Sequence, residues 1–313
     1  MFVLVLAGPT AVGKSDLALG LAQELGGEIL TADSMQVYKL MDIGTAKPSA
    51  EERSLVPHHL LDLIYPDTPF SVAQYAEEFH RTVAAMAGRG GLPIVAGGTG
   101  LYIRAAIRPF LFPEAGRQAG LRESLQAEAE IVGPAGLHAA LAKVDAPAAA
   151  RIHPHDTRRV IRALEVYRAT GKPISVLQRE SGQDSPYKPI YVCLTRDREE
   201  LYQRIDARAG QMLQAGFLAE VRDLLAAGYG SHLPPMQGLG YRELASHLTG
   251  KSSLPEAMDR LKQRTRNYAK RQLTWFRHEP DVNWLNLSLL TREKAKEEIL
   301  RLLAGRWESS SNN

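Results

Sequence analysis

The chain has 313 residues, of which 44% are apolar and 23% charged, with a formal net charge of +3 and one cysteine. That balance belongs to a globular protein with a full core, and no run approaches the roughly 20 apolar residues of a membrane span. A single cysteine excludes an intramolecular disulfide and a cysteine-based zinc site. The opening MFVLVLAG has no basic flank of the secretory kind, so a cytoplasmic protein is expected.

In chain order, FVLVLAG (residues 2–8) reads as a buried strand and KSDLALGLAQEL (14–25) as a helix. Between them lies GPTAVGKS, of the form G-x-x-x-x-G-K-S. GEILTAD (27–33) reads as a second strand, SVAQYAEEFHRTVAAMAGRG (71–90) as a helix and LPIVAGG (92–98) as a third strand. Strands joined by crossover helices predict a parallel sheet covered on both faces. From about 113 to 188 the pattern turns helical, with joints containing Pro and Gly. Then KPIYVCLT (188–195) returns a strand, with a helix over 197–214. The expected fold is α/β, a parallel-sheet core of the P-loop kind. Its core would comprise residues 1–112 and 189–313, with a helical subdomain inserted at 113–188. Two consecutive domains would leave the late strand without a sheet.

The loop carries the first chemistry. Gly8 and Gly13 permit turns that point backbone N–H groups inward across Gly8, Pro9, Thr10, Ala11, Val12, Gly13, Lys14 and Ser15. Lys14 supplies a cation, Ser15 a hydroxyl for Mg²⁺, and the helix its positive end. The pattern points to a phosphorylated ligand without saying which. A nucleotide-splitting enzyme usually ends a strand on a Mg²⁺-holding Asp, whereas here the third strand runs into Gly97, Gly98, Thr99 and Gly100. The loop is therefore expected to grip a phosphate that it does not split.

Asp33 follows the second strand at the carboxyl edge, where open α/β sheets bind ligands. It could be a general base, an outer metal contact or a helix N-cap; Ser34, Met35 and Gln36 beside it favour a ligand-facing loop. Residues 156–170 read as a helix capped by Asp156 and stopped by Gly171. Arg158, Arg159 and Arg162 lie across from Val160, Leu164 and Tyr167, a basic face that is either solvated or bound to phosphate. In 254–276, Met258, Leu261, Tyr268, Ala269 and Phe276 read as core, and Lys262, Arg266 and Lys270 as a basic flank. The paired histidines His58 and His59 point apart on any regular element, and metal binding is not expected of them.

Taken together, GPTAVGKS, ADSMQVYKLMDIGTAKP, VPHHLLD, GGTGLY, RIHPHDTRRVIRALEVYRATGKPIS and TRNYAKRQLTWFR resemble the tRNA dimethylallyltransferase (tRNA isopentenyltransferase) family. The single cysteine leaves no place for the zinc finger of eukaryotic members, so the resemblance is to the bacterial type. It implies transfer of a dimethylallyl group from dimethylallyl diphosphate to N6 of the adenosine 3′ to the anticodon, position 37 of tRNA. It implies Mg²⁺ as cofactor and the tRNA anticodon stem-loop as partner; the lack of an apolar span leads to no expected membrane association, and one site in one chain to a monomer. The resemblance also implies residue roles: Asp33 as base, Thr99 as its hydroxyl partner, and Arg208 on the diphosphate held by residues 8–15. Contacts to tRNA would come from Asp33, Ser34, Met35, Gln36 and Gln237, and from Arg158, Arg159, Val160, Ile161 and Arg162. Without the resemblance, Arg208 and Arg204 read as two surface arginines one helical turn apart. The rival readings are a small-molecule P-loop kinase, a prenyltransferase acting on free adenine nucleotides, and a nucleotide-regulated RNA-binding switch.

Overall fold

The computed structural model describes residues 1–108, 120–180 and 185–311. Among them six strands form one parallel sheet in the order β3-β2-β4-β1-β5-β6. The strands are β1 (Phe2–Ala7), β2 (Glu28–Ala32), β3 (His58–His59), β4 (Pro93–Gly97), β5 (Lys188–Thr195) and β6 (Val282–Asn286). The apolar runs are continuous because both faces are covered. Val3, Val5, Val95 and Cys193 face one buried cluster, while Leu4, Leu6, Ile94 and Val192 face the other, as the two-residue period of a strand requires. Burial pushes the Cys193 thiol up to about 12, leaving it an inert core group.

Helices α1 (Lys14–Leu25), α9 (Arg198–Gln214) and α13 (Arg292–Ser311) send residues into the second cluster. Helices α3 (Val72–Ala87), α4 (Gly100–Ile107), α10 (Phe217–Ala226) and α11 (Tyr241–Leu248) feed the first. The short α2 (Ala50–Leu55) is closed by a capping box of Ser49 and Glu52. Helix α12 (Leu254–Phe276) reaches both clusters, with Leu261 and Phe276 in one and Ala269 in the other. Strands β3 and β6 were not expected from the sequence pattern. One is two residues long and the other, VNWLN, is mixed and half-exposed; both lie at sheet edges, which proteins keep short and polar.

The chain divides into two compact units, Met1–Ile107 with Pro186–Asn313, and Arg108–Ser185. The expected boundary at residues 112 and 113 lies outside the described residues. The second unit holds α5 (Leu121–Val144), α6 (Ala146–Arg151), α7 (Thr157–Thr170) and α8 (Ile174–Glu180). Gly133, at φ 71°, and the following Pro134 break α5 into two helices. Its core gathers Leu125, Leu137, Leu141, Val160, Ile161 and Leu164.

Candidate active site

The phosphate loop leaves the carboxyl end of β1, the central position from which the adjoining strands β4 and β5 also end nearby. Gly8 adopts φ +144°, and a Cβ there would come within 2.6 Å of the Leu194 carbonyl oxygen. Gly13, at φ +109°, begins α1. Ala11 takes φ +63°, a region non-glycine residues seldom enter. The strain is held from outside: Arg204 Nε donates to the Ala11 carbonyl at 2.8 Å and Arg196 Nε to the Val12 carbonyl at 2.9 Å. Lys14 Nζ donates to the carbonyls of Gly8 at 3.0 Å and Pro9 at 2.7 Å. Burial, and then the positive charge of Arg208, lower the Lys14 pKa to about 8, with Asp33 pulling the other way.

At the end of β2 the chain makes a turn rather than the helix start that a capping role would need. Asp33 Oδ1 accepts from the Met35 amide at 2.8 Å, leaving its second oxygen for other work. The Ser34 amide donates to Thr99 Oγ1 at 3.0 Å, and the Thr99 amide donates to the Ala32 carbonyl at 3.1 Å. Gly97 permits this approach: a Cβ there would lie 2.0 Å from the Ala32 oxygen. Gln36 Nε2 donates to the carbonyls of Thr45 and Ala46, and Gln237 Nε2 to that of Ser231. The 42–47 loop is fixed twice over. Glu220 accepts from the amides of Asp42, Ile43 and Gly44, and the buried Lys47 ammonium bridges Asp42 and Asp62 at 2.7 and 2.6 Å.

Two cavities open at this edge. One, of about 510 Å³, is lined by Gly13, Lys14, Ser15, Gly98, Gln36 and Arg204. The other, of about 600 Å³, is lined by Met35, Gln237, Phe217, Arg242, Arg264 and Arg271. Asp33, Arg208 and Tyr268 line both. Burial lowers the Arg208 pKa while the Asp33 carboxylate opposes that shift. Burial and the Asp33 charge push the Tyr268 phenol up to about 12, against its hydrogen bonds to Thr99 and Gln272.

Loop, Asp33, Thr99 and Arg208 are thus brought to one place. Met35 lines the second cavity with Asp33 and Arg208 and packs against Gly238, where a Cβ would meet its Cε at 2.6 Å. Within the loop, Pro9 and Val12 are buried. Tyr268, which the helical period places in the core, faces the cavities. The sequence pattern alone assigns no role to Gln272 and no clamping role to Arg204. The signal for Gln272 was present: it falls in register with Leu261, Tyr268 and Phe276, a polar residue inside an apolar stripe. The basic residues of α12 that line a cavity are Arg264 and Arg271, not the flank of Lys262, Arg266 and Lys270.

In the other unit, Val160 and Ile161 are buried in the core, so of residues 158–162 only the arginines present side chains outward. Arg158 and Arg159 are exposed, the latter pairing with Asp156 at 3.3 Å. Arg162 is spent differently: it and Arg122 both hold the buried Glu165, each at 2.9 Å.

Among the described residues no three His, Cys, Asp or Glu side chains group as a metal cage. Ser15 offers an exposed hydroxyl at the start of α1, in the cavity that Asp33 also lines. That sparse oxygen set fits Mg²⁺, which keeps several waters and rests mainly on substrate phosphates.

Fold and site define a P-loop α/β protein whose G-x-x-x-x-G-K-S loop and a carboxylate, Asp33, line one cavity at the carboxyl edge of the sheet. Residues 36–279 match the family model for IPP transferase. The tRNA dimethylallyltransferase of Pelotomaculum thermopropionicum is 47% identical over 304 residues, 97% of this chain and 96% of that protein. That of Geobacillus kaustophilus is 46% identical, covering 99% and 98%. Among solved structures, the full-length tRNA isopentenylpyrophosphate transferase from Bacillus halodurans superposes with TM-score 0.75 at 40% identity, covering 99% of this chain and 98% of that one. A eukaryotic dimethylallyltransferase acting on tRNA superposes at 0.79 with 32% identity, covering 91% and 73%. The chain belongs to the IPP transferase family.

Proposed function

We propose that the protein transfers a dimethylallyl group from dimethylallyl diphosphate to N6 of adenosine 37, 3′ to the anticodon of tRNA, and releases diphosphate. Family membership supports prenyl transfer to tRNA. The observation that carries the division of roles is that Asp33 stands where the phosphate-loop cavity meets the cavity lined by Met35 and Gln237. Donor and acceptor approach from these two sides.

The diphosphate lies in the loop, against the backbone amides, Lys14 and Arg208. Ser15, together with oxygens of the diphosphate, would hold Mg²⁺, which would supply further positive charge to the leaving group. In the transfer the bond from the allylic carbon to oxygen breaks and a bond from that carbon to N6 forms. Diphosphate carries away the electron pair, and no bond to phosphorus breaks. Lys14, Arg208 and the amides stabilise the negative charge where it grows. The N6 amine is a weak nucleophile because its lone pair is delocalised into the ring, and Asp33 accepts its proton as the new bond forms. Such a base is worth about 10²–10⁴ in rate. Thr99, fixed to the Ser34 amide, holds the Asp33 turn in place.

To reach Asp33 the adenine leaves its stack, and Met35, Gln36 and Gln237 line the space about it. Arg158 and Arg159 contact phosphates of the anticodon stem-loop, while Arg162, expected to join them, is engaged with the buried Glu165. One chain supplies the whole site, so the enzyme works as a monomer, in the cytoplasm where unmodified tRNA is met. The test is to incubate the protein with unmodified tRNA, Mg²⁺ and dimethylallyl diphosphate without ATP, and to weigh the digested nucleosides. An adenosine heavier by one prenyl unit is expected; unchanged nucleosides, with ATP consumed in the presence of a small acceptor, would favour a kinase instead.

A further inference from the structure

We propose that Gln272 is a positioning residue that locks the donor's phosphate loop to the strand end bearing Thr99. Its Oε1 accepts from the Thr10 amide at 2.9 Å and its Nε2 donates to the Gly98 carbonyl at 2.9 Å. The side chain is only 6% exposed. One amide thus satisfies a donor in the phosphate loop and an acceptor in the β4–α4 turn, and the opposite orientation of the amide would satisfy neither. A carboxylate could accept from Thr10 but would repel the Gly98 oxygen. Gly98 is shaped to receive it: a Cβ there would lie 2.2 Å from Gln272 Nε2.

The other outside supports of the loop, Arg196 and Arg204, hold only its carbonyls at Val12 and Ala11. Gln272 alone among the described side chains bonds both to the loop and to the β4 turn. From Gly98 the connection continues to Thr99, whose hydroxyl takes the Ser34 amide next to Asp33. On the proposed function, diphosphate and base are therefore held at a fixed separation through a single buried amide on α12. Small misplacements of reacting groups cost large factors in rate, so this spacing is where the residue acts.

The test compares wild type with Gln272→Met, which keeps length and apolar packing but removes both bonds and the one to Tyr268, and with Gly98→Ala, which displaces the amide while leaving Gln272 present. Inorganic pyrophosphate affinity is measured by calorimetry, with kcat and donor KM for prenyl transfer and tRNA Kd alongside. In both variants, pyrophosphate affinity and kcat are expected to fall about tenfold while tRNA Kd stays within about twofold. Pyrophosphate affinity and kcat within about threefold of wild type, whatever the change in Tm, would overturn the proposal and leave Gln272 a packing residue. Should wild type transfer no prenyl group at all, the functional reading fails, and the pyrophosphate comparison still decides the role of Gln272.

Discussion

Ser34 and Thr99 meet across the ends of β2 and β4: the Ser34 amide donates to Thr99 Oγ1 at 3.0 Å, and the two hydroxyl oxygens stand 3.4 Å apart. The contact is possible because Gly97 lets the two strand ends close. It orients the turn that presents Asp33, so residues 65 positions apart in sequence act as one unit.

Asp33→Asn isolates the carboxylate's chemistry from its structural bond, because the amide oxygen can still accept from Met35 N–H. The variant is expected to bind tRNA and donor normally and to lose about 10²-fold or more in kcat. Single-turnover rates with measured Kd values check this; a kcat near wild type would remove Asp33 as the base.

Lys14 predicts opposite pH trends for binding and stability. Its folded pKa of about 8, against an ordinary 10.5, means the ammonium is lost early in the folded protein. Donor kcat/KM should fall about tenfold per pH unit above about 8, since the diphosphate prefers the charged lysine. Over the same window the unfolded chain binds more protons than the folded one, so this group favours folding increasingly as pH rises from 8 to 10.5. Lys14→Arg should show weaker donor use with no such pH dependence. A wild-type profile flat to pH 10 would contradict the assignment.

The arginines of α7 separate by partner. Arg158→Glu with Arg159→Glu should weaken tRNA binding and flatten the slope of log Kd against log salt by about 2, with Tm little changed. Arg162→Glu should instead lower Tm, because it sets a second carboxylate against the buried Glu165. An unaltered salt slope in the double variant would leave α7 a merely solvated face.

Gly97→Ala should be among the most damaging single-methyl changes in the molecule. Its Cβ would sit 2.0 Å from a backbone oxygen of Ala32, which cannot rotate away. Lowered Tm together with loss of prenyl transfer is expected; a folded, active variant would show that the β2–β4 closure is not needed.

Much of this was legible in the sequence because it is local. The helix predicted over 14–25 and the strands through β1, β2, β4 and β5 correspond to the observed elements, since period and turn chemistry act over a few residues. The phosphate loop and Asp33 likewise sit in contiguous motifs. The rest depends on which helix packs where. Arg204 and Arg208 look alike one turn apart, yet Arg204 clamps the Ala11 carbonyl while Arg208 lines both cavities. Tyr268 reads as core because aromatic residues usually are, and Gln272 meets Thr10 only across 262 residues of chain. Val160 and Ile161 lie within a basic run but turn inward, as their place on the helix dictates.

In the proposed reaction the loop holds a leaving group rather than a phosphoryl donor. Dimethylallyl diphosphate labelled with ¹⁸O at the bridging position between carbon and phosphorus tests it most directly, with the phosphorus products and modified nucleosides weighed after turnover. All label is expected to leave in intact diphosphate, one for each prenylated adenosine. Label appearing in free dimethylallyl alcohol, or orthophosphate released in place of diphosphate, would contradict it.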